Sequence, residues 1–203
     1  WTSESYGVRI RRRASTHSMQ HSQRHRYDLH QVLTRFSINN VGVKLVKCRF
    51  ACSQTAYVGH IVRAGQGVSV DPKKVEAILR MERPTTVAEL KSFLGVASYY
   101  KRFVRDLADL AVPLRRIKNV FKSKTMDIGI LWGANQEKSF NALKAALAAA
   151  PILAFPDWTK PFLVLSDCSD HAKGATLAQE VDGVERPIAY ISQALNDHEK
   201  RYG

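Results

Sequence analysis

The sequence is poor in several things, and each shortage excludes something. Its 203 residues include three cysteines, Cys48, Cys52 and Cys168, too few and too scattered for a disulfide framework, so reduced thiols are expected. Cys48 and Cys52 form a C-x3-C pair near His60, but a structural zinc site wants four ligands and no second pair follows. No stretch approaches the ~20 consecutive apolar residues that a membrane-spanning helix needs. The Arg- and His-rich start has no apolar core ahead of a cleavage site and does not read as a secretory signal. Aspartate is scarce early, since Asp28 is the only one before Asp71.

Positive charge is what the chain has in excess, and its distribution matters more than its total of +13. Residues 1–30 carry a net +4, residues 31–120 a net +10 and residues 121–203 a net −1. Basicity confined to the middle of the chain predicts one surface that faces a polyanion. A solvated basic face with no ligand is the plainer alternative.

Along the chain, residues 1–28 show no sustained apolar period and predict a basic, irregular arm. His17, His21 and His25 are spaced to share a helix face, but nothing supplies the packing that such a metal-binding helix needs. From Leu29 the pattern tightens: Leu29, Val32, Leu33 and Phe36 predict a helix ended by Asn39-Asn40, followed by a strand-like VGVKLVKCRFACS. TAYVGHIV and VSV, joined by the loop Arg63–Gly67, predict a β-hairpin. Asp71-Pro72 then opens a helix as N-cap and first helical residue, and Thr85 or Thr86 caps the next, VAELKSFLGVASYYKRFV, with Glu89 three residues after Thr86 as in a capping box.

That second helix has two faces. Leu90, Phe93, Leu94, Ala97, Tyr100 and Val104 make an apolar stripe, while Lys91, Gly95, Tyr99 and Arg102 step along the other side. Glycine inside a helix costs about 1 kcal/mol relative to alanine, so it marks a close approach, either of another helix or of a nucleic-acid sugar edge. A helix broken at Pro113 follows in LADLAVPLRRI, then one capped by Asn135 over about 136–150 and stopped by Pro151. The last segment predicts a three-strand meander: PFLVLSD, GATLAQEV and ERPIAYIS, with Asp182-Gly183 as a tight turn. Asn196 or Asp197 would cap a further helix.

Taken in order, AYVGHIV, GVSVDPKKVEAI, ELKSFLGVASYYKRFV, LADLAVPL, APILAFPDWTKPF and LVLSDCSD resemble the polymerase polyprotein of gypsy-type LTR retrotransposons, from about residue 29 to 203. The resemblance implies an α+β chain: the end of the reverse-transcriptase palm with its primer-grip hairpin over 29–70, a helical thumb over 71–120, a connection over 121–160 and an incomplete RNase H-like domain over 161–203, with a start of the family region near 132 as the alternative. It implies that Tyr57, Val58, Gly59 and His60 form the primer grip. It further implies that Lys91, Gly95 and Tyr99 track the minor groove of an RNA/DNA template-primer duplex, with Arg102 beside them, and that Asp167 is the first RNase H carboxylate and a metal ligand. The independent reading agrees, because a bare Gly95 lets a shallow groove approach while Lys91 supplies charge near phosphates.

Departures from the family pattern are equally informative. The family's polymerase site is a Tyr-x-Asp-Asp turn plus an earlier aspartate holding two metals, and no such turn occurs in this sequence. RNase H chemistry needs about four acidic ligands around two Mg²⁺. Here Glu199 falls ahead of the expected helix, and Asp170 reads as a turn residue. The expectation is therefore a fragment that retains duplex-binding elements, holds no Mg²⁺ tightly and is inactive alone, although the intact family uses Mg²⁺. The alternatives are a host-retained, non-enzymatic binding module and a chain that does not fold by itself. No membrane association is expected, and an intracellular site is the default.

Overall fold

The computed structural model describes residues 16–120, 123, 125–196 and 198–201, with side-chain surroundings from residue 23 onward. It divides into two compact units, Trp1–Phe50 and Ala51–Gly203.

The first unit contains α1 (Thr16–Ile38) and a short 3-10 turn over Leu45–Lys47. The irregular arm expected over 1–28 is corrected here, because residues 16–28 belong to this helix; residues 1–15 lie outside the described residues. The helix ends where the asparagine pair predicts. Asn39 Nδ2 donates to the Arg35 carbonyl at 2.7 Å, and Asn40 turns into the left-handed region at φ 53°, which asparagine tolerates better than most residues. The strand expected over 41–53 does not form. Its alternation is real, but a strand exists only through its ladder, and the first strand of the described sheets begins at Gln54.

The second unit contains two three-stranded antiparallel meanders. The first is β1 (Gln54–Tyr57), β2 (His60–Arg63) and β3 (Gly67–Val70). TAYVGHIV, expected as one strand, folds back on itself at Val58-Gly59, with Tyr57 paired to His60. Between the meanders lie α2 (Pro72–Leu79), α3 (Val87–Tyr99), a 3-10 turn over Lys101–Phe103, α4 (Leu107–Leu110), α5 (Val112–Val120) and α6 (Ala134–Ala148). The second meander is β4 (Leu163–Cys168), β5 (Ala172–Val181) and β6 (Val184–Ala194).

Local chemistry accounts for most boundaries. The Asp71 side chain accepts from the Lys73 amide at 2.9 Å, and Pro72 takes the first helical position, where no N–H is needed. Thr86 Oγ1 accepts from the Glu89 amide while Glu89 Oε2 accepts from the Thr85 and Thr86 amides, completing the capping box. Pro113 falls in the first turn of α5, and the break lies at Ala111. Helix α6 starts at Ala134 rather than after Asn135, with Gln136 Oε1 reaching back to the Gly133 amide at 3.1 Å. Asp182 and Gly183 both have positive φ, 54° and 75°, the requirement of a type I′ hairpin turn.

All six residues of the predicted apolar stripe are buried, with Leu90 at 0 % and Ala97 at 1 % exposure. They do not form a thumb core of their own. Phe93 packs on Phe140 of α6 with ring centroids 4.6 Å apart, and Trp132 meets Phe140 at 5.9 Å. Ile78, Leu114, Ile117, Leu143 and Leu147 belong to the same cluster. Lys144 Nζ donates to the Met81 carbonyl at 2.7 Å, tying α6 to the end of α2. The boundary expected near residue 120 therefore runs through a shared core, and that expected at 70 separates a meander from helices in the same compact unit.

Candidate nucleic-acid interface

Helix α3 turns one side to this core and leaves the other open. Lys91 is half-buried, and Gly95 and Tyr99 are exposed. A β-carbon built on Gly95 would meet nothing within 4 Å. Of the two approaches that a mid-helix glycine suggests, packing against another helix is thus not the one seen among the described residues. Lys91, Gly95 and Tyr99 sit at i, i+4 and i+8, so the row runs about 12 Å along the axis, roughly three to four steps of a nucleic-acid strand. Arg102 is exposed but lies beyond the helix end, on the 3-10 turn. It is a neighbour of this row and not a further step of it.

The hairpin turn sits at the C-terminal end of the row. Val58 and Gly59 have φ 46° and 75°, so a β-branched residue occupies the left-handed region, where it is a genuine outlier. Its carbonyl accepts from the Tyr99 hydroxyl at 2.6 Å and lies 2.8 Å from His60 Nδ1. A carbonyl only accepts, so the imidazole proton in this contact belongs to Nδ1. The Gly59 carbonyl accepts from the Tyr100 hydroxyl at 3.2 Å and from the Asp71 amide at 3.1 Å. The His60 ring is stacked on Phe103 at 5.3 Å and flanked by Tyr99 and Tyr100, each at 5.5 Å. Burial raises the Tyr100 phenol above its ordinary pKa, with smaller contributions from Tyr99 and Asp71, so it stays a protonated donor at neutral pH.

Tyr57, His60, Tyr99 and Arg102 also border one cavity of about 820 Å³, whose lining includes an aromatic wall of Phe155 and Trp158. The structure thus gathers six of the eight predicted nucleic-acid residues around the turn and the end of α3, with Gly95 one helical turn and Lys91 two turns back along the helix. Sequence reasoning missed the aromatic wall. Its signal was present in the run AFPDWTKPF, whose Trp158 is 82 % exposed. That loop is held by Gln179, 2 % exposed, which accepts from the Asp157 amide and donates to the Asp157 and Lys160 carbonyls at 2.8, 2.7 and 3.1 Å.

Asp167 lies apart from this surface, exposed on β4 and paired across the ladder with Gly174. Its Oδ1 accepts from the Cys168 amide at 2.8 Å. Asp106 and Asp109 line the same small cavity, together with the cation Lys173. Asp106 lies 3.5 Å from Arg105 Nε, and Asp109 accepts from the Ser169 hydroxyl at 3.2 Å. Glu199 is bound to Lys173, which holds its carboxyl below the usual glutamate range, and it accepts from the Asn196 amide. Asn196 caps this last turn in return, through the His198 and Glu199 amides. Asp170 falls in the loop between β4 and β5. Among the described residues no three acidic, histidine or cysteine side chains converge on one point.

Comparison with known proteins bears on the whole arrangement. Residues 132–203 match the model of the RNase H-like domain found in reverse transcriptase. The Pol polyprotein of the Drosophila melanogaster transposon opus is 43 % identical over 183 residues, 88 % of this chain and 18 % of that protein. That of the transposon gypsy is 37 % identical over 169 residues, 80 % of this chain and 16 % of its own length. Among solved structures, a foamy viral protease–reverse transcriptase in complex with double-stranded DNA superposes with a TM-score of 0.70 at 20 % identity, over 89 % of this chain and 31 % of that one. The foamy viral enzyme in complex with an RNA/DNA hybrid gives 0.68 at 20 % identity, over 88 % and 24 %. The chain spans less than a fifth of the length of these Pol polyproteins. Its ordered motifs, its α+β fold and these likenesses agree: the chain belongs to the Pol polyproteins of gypsy-type retrotransposons and includes their RNase H-like region over residues 132–203.

Proposed function

We propose that the chain grips a template-primer duplex, RNA/DNA or DNA, through the open face of α3 and the Val58-Gly59 turn, without reading its sequence. The observation that carries this reading is the bare helical surface at Gly95, in line with Lys91 and ending at the exposed hairpin. A side chain there would stand between the helix and a shallow groove. The concentration of positive charge in residues 31–120 supports it, since phosphate contacts supply most of the sequence-independent affinity. We also assign no complete polymerase or RNase H centre to these residues. The sequence has no Tyr-x-Asp-Asp turn, and Mg²⁺, which the intact family uses, would find Asp167 without fitting partners.

The test is fluorescence anisotropy of a labelled RNA/DNA hybrid over a range of salt. Affinity should fall steeply with salt and be largely lost in the double variant Lys91→Glu, Arg102→Glu, with circular dichroism unchanged. Undiminished binding in that folded variant would refute the α3 interface and favour a protein-interaction role. Primer extension by the purified chain with Mg²⁺ would overturn the assignment of no polymerase centre.

A further inference from the structure

We infer that Tyr99 and Tyr100 form a latch that holds the hairpin turn in its left-handed conformation, so that Tyr99 is a positioning residue for the grip rather than only a surface for the duplex. The inference rests on the proposed duplex-binding reading for its consequence, but its geometry stands alone. A two-residue turn with both φ positive suits Asn-Gly or Asp-Gly, and the molecule has one of these at Asp182-Gly183. At 58-59 the same backbone carries valine, whose branched β-carbon opposes it by roughly 1–2 kcal/mol. Something other than local preference must hold it.

The hydroxyls of Tyr99 and Tyr100 are placed to do so. They reach the two successive turn carbonyls, those of Val58 and Gly59, from positions 41 residues away in sequence. The two rings meet edge to face at 4.9 Å, which fixes the hydroxyls relative to one another. Tyr100 is anchored by burial at 4 % exposure, whereas Tyr99 is 49 % exposed. One member is therefore fixed in the core and the other lies on the surface assigned to the duplex. Gly59 is part of the fit, because a β-carbon there would stand 2.8 Å from the Tyr100 hydroxyl. The end of the helix and the tip of the hairpin thus present themselves to a ligand as one piece. A duplex pressing on Tyr99 bears directly on the position of the Val58 carbonyl.

The experiment separates the latch from the duplex reading. Amide hydrogen exchange around His60 is measured without nucleic acid in wild type, in Tyr99→Phe and in Tyr99→Phe with Val58→Asn. The latch predicts about fivefold faster exchange on loss of the hydroxyl, the effect of one typical net hydrogen bond. It predicts recovery when Val58→Asn supplies the turn's preferred Asn-Gly pair. The hybrid affinity of the same three proteins should fall by a similar factor and recover with it. Unchanged exchange in Tyr99→Phe overturns the latch, as does an affinity loss that persists after exchange has recovered, since Tyr99 would then act by direct contact alone. A wild-type chain that binds no hybrid refutes the duplex reading, while the exchange measurements still decide the latch.

Discussion

Replacing Gly95 by alanine should make the chain more stable and a poorer ligand for a duplex, and the opposite signs make this substitution informative. Gly95 has ordinary helical backbone, since it is absent from the glycines with positive φ, and an added β-carbon meets nothing within 4 Å. The substitution therefore costs no contact. It gains helix propensity and restricts the unfolded chain, for a stabilisation of about 0.5–1 kcal/mol. In a unit of this size that raises the melting temperature by roughly 1–4 °C. If a sugar-phosphate edge lies against this surface, the methyl group displaces it slightly, and Gly95→Leu displaces it by several ångströms. Hybrid affinity should fall in the order glycine, alanine, leucine, while melting temperature is highest in the two variants. Thermal melts paired with anisotropy titrations check this. Equal affinities across the series would show that nothing approaches Gly95, and the α3 interface would have to be abandoned.

Three further outcomes follow from the packing and the caps. Gln179→Leu strands the Asp157 amide and the Asp157 and Lys160 carbonyls; it should cost about 2 kcal/mol in urea unfolding and quicken proteolysis near Trp158. Phe140→Ala removes a ring that packs on both Phe93 and Trp132 and should cost about 3–5 kcal/mol, with hydrogen exchange rising in α3 as well as α6; a rise confined to α6 would contradict the shared core. Glu89 is held below its ordinary pKa chiefly by the Thr85 amide. A depressed carboxyl contributes stability above its unfolded pKa and loses it as pH falls through the folded value. Glu89→Gln should therefore flatten the loss of melting temperature between neutral pH and about pH 3, and an identical acid slope in both proteins would exonerate this carboxylate.

What the sequence discloses and what it hides divide along the range of the interactions concerned. The Asp71-Pro72 start, the Thr86–Glu89 box and the Asp182-Gly183 turn are settled within four residues, so they are legible in the string of letters. The turn at Val58-Gly59 is not, because valine argues against it and the groups that hold it lie on a helix far along the chain. The alternation of residues 41–53 is legible but insufficient, because a strand requires a neighbour. Asp167 was readable as a carboxylate ending an apolar run. That it shares a small cavity with Asp106 and Asp109, with Ser169 bonded to Asp109 across 60 residues, follows only from how α4 meets the second meander. The row Lys91–Gly95–Tyr99 was visible through its 3.6-residue period, and the aromatic wall of the neighbouring cavity was not, because a loop has no period.

The shared core has a bearing on how this stretch of polyprotein can be cut and recombined. The region matched as RNase H-like begins at residue 132, yet Trp132, Phe140, Leu143 and Leu147 are buried in the same cluster as Phe93, Leu90 and Leu114. Recombination or protein engineering that joins a foreign partner at residue 132 would bring α6 without the surface it was shaped against. A junction near Phe50-Ala51, where the compact units divide, leaves that cluster whole. Exchangeable modules in this lineage are thus expected to carry α3, α5 and α6 together, whatever boundary sequence similarity draws between them.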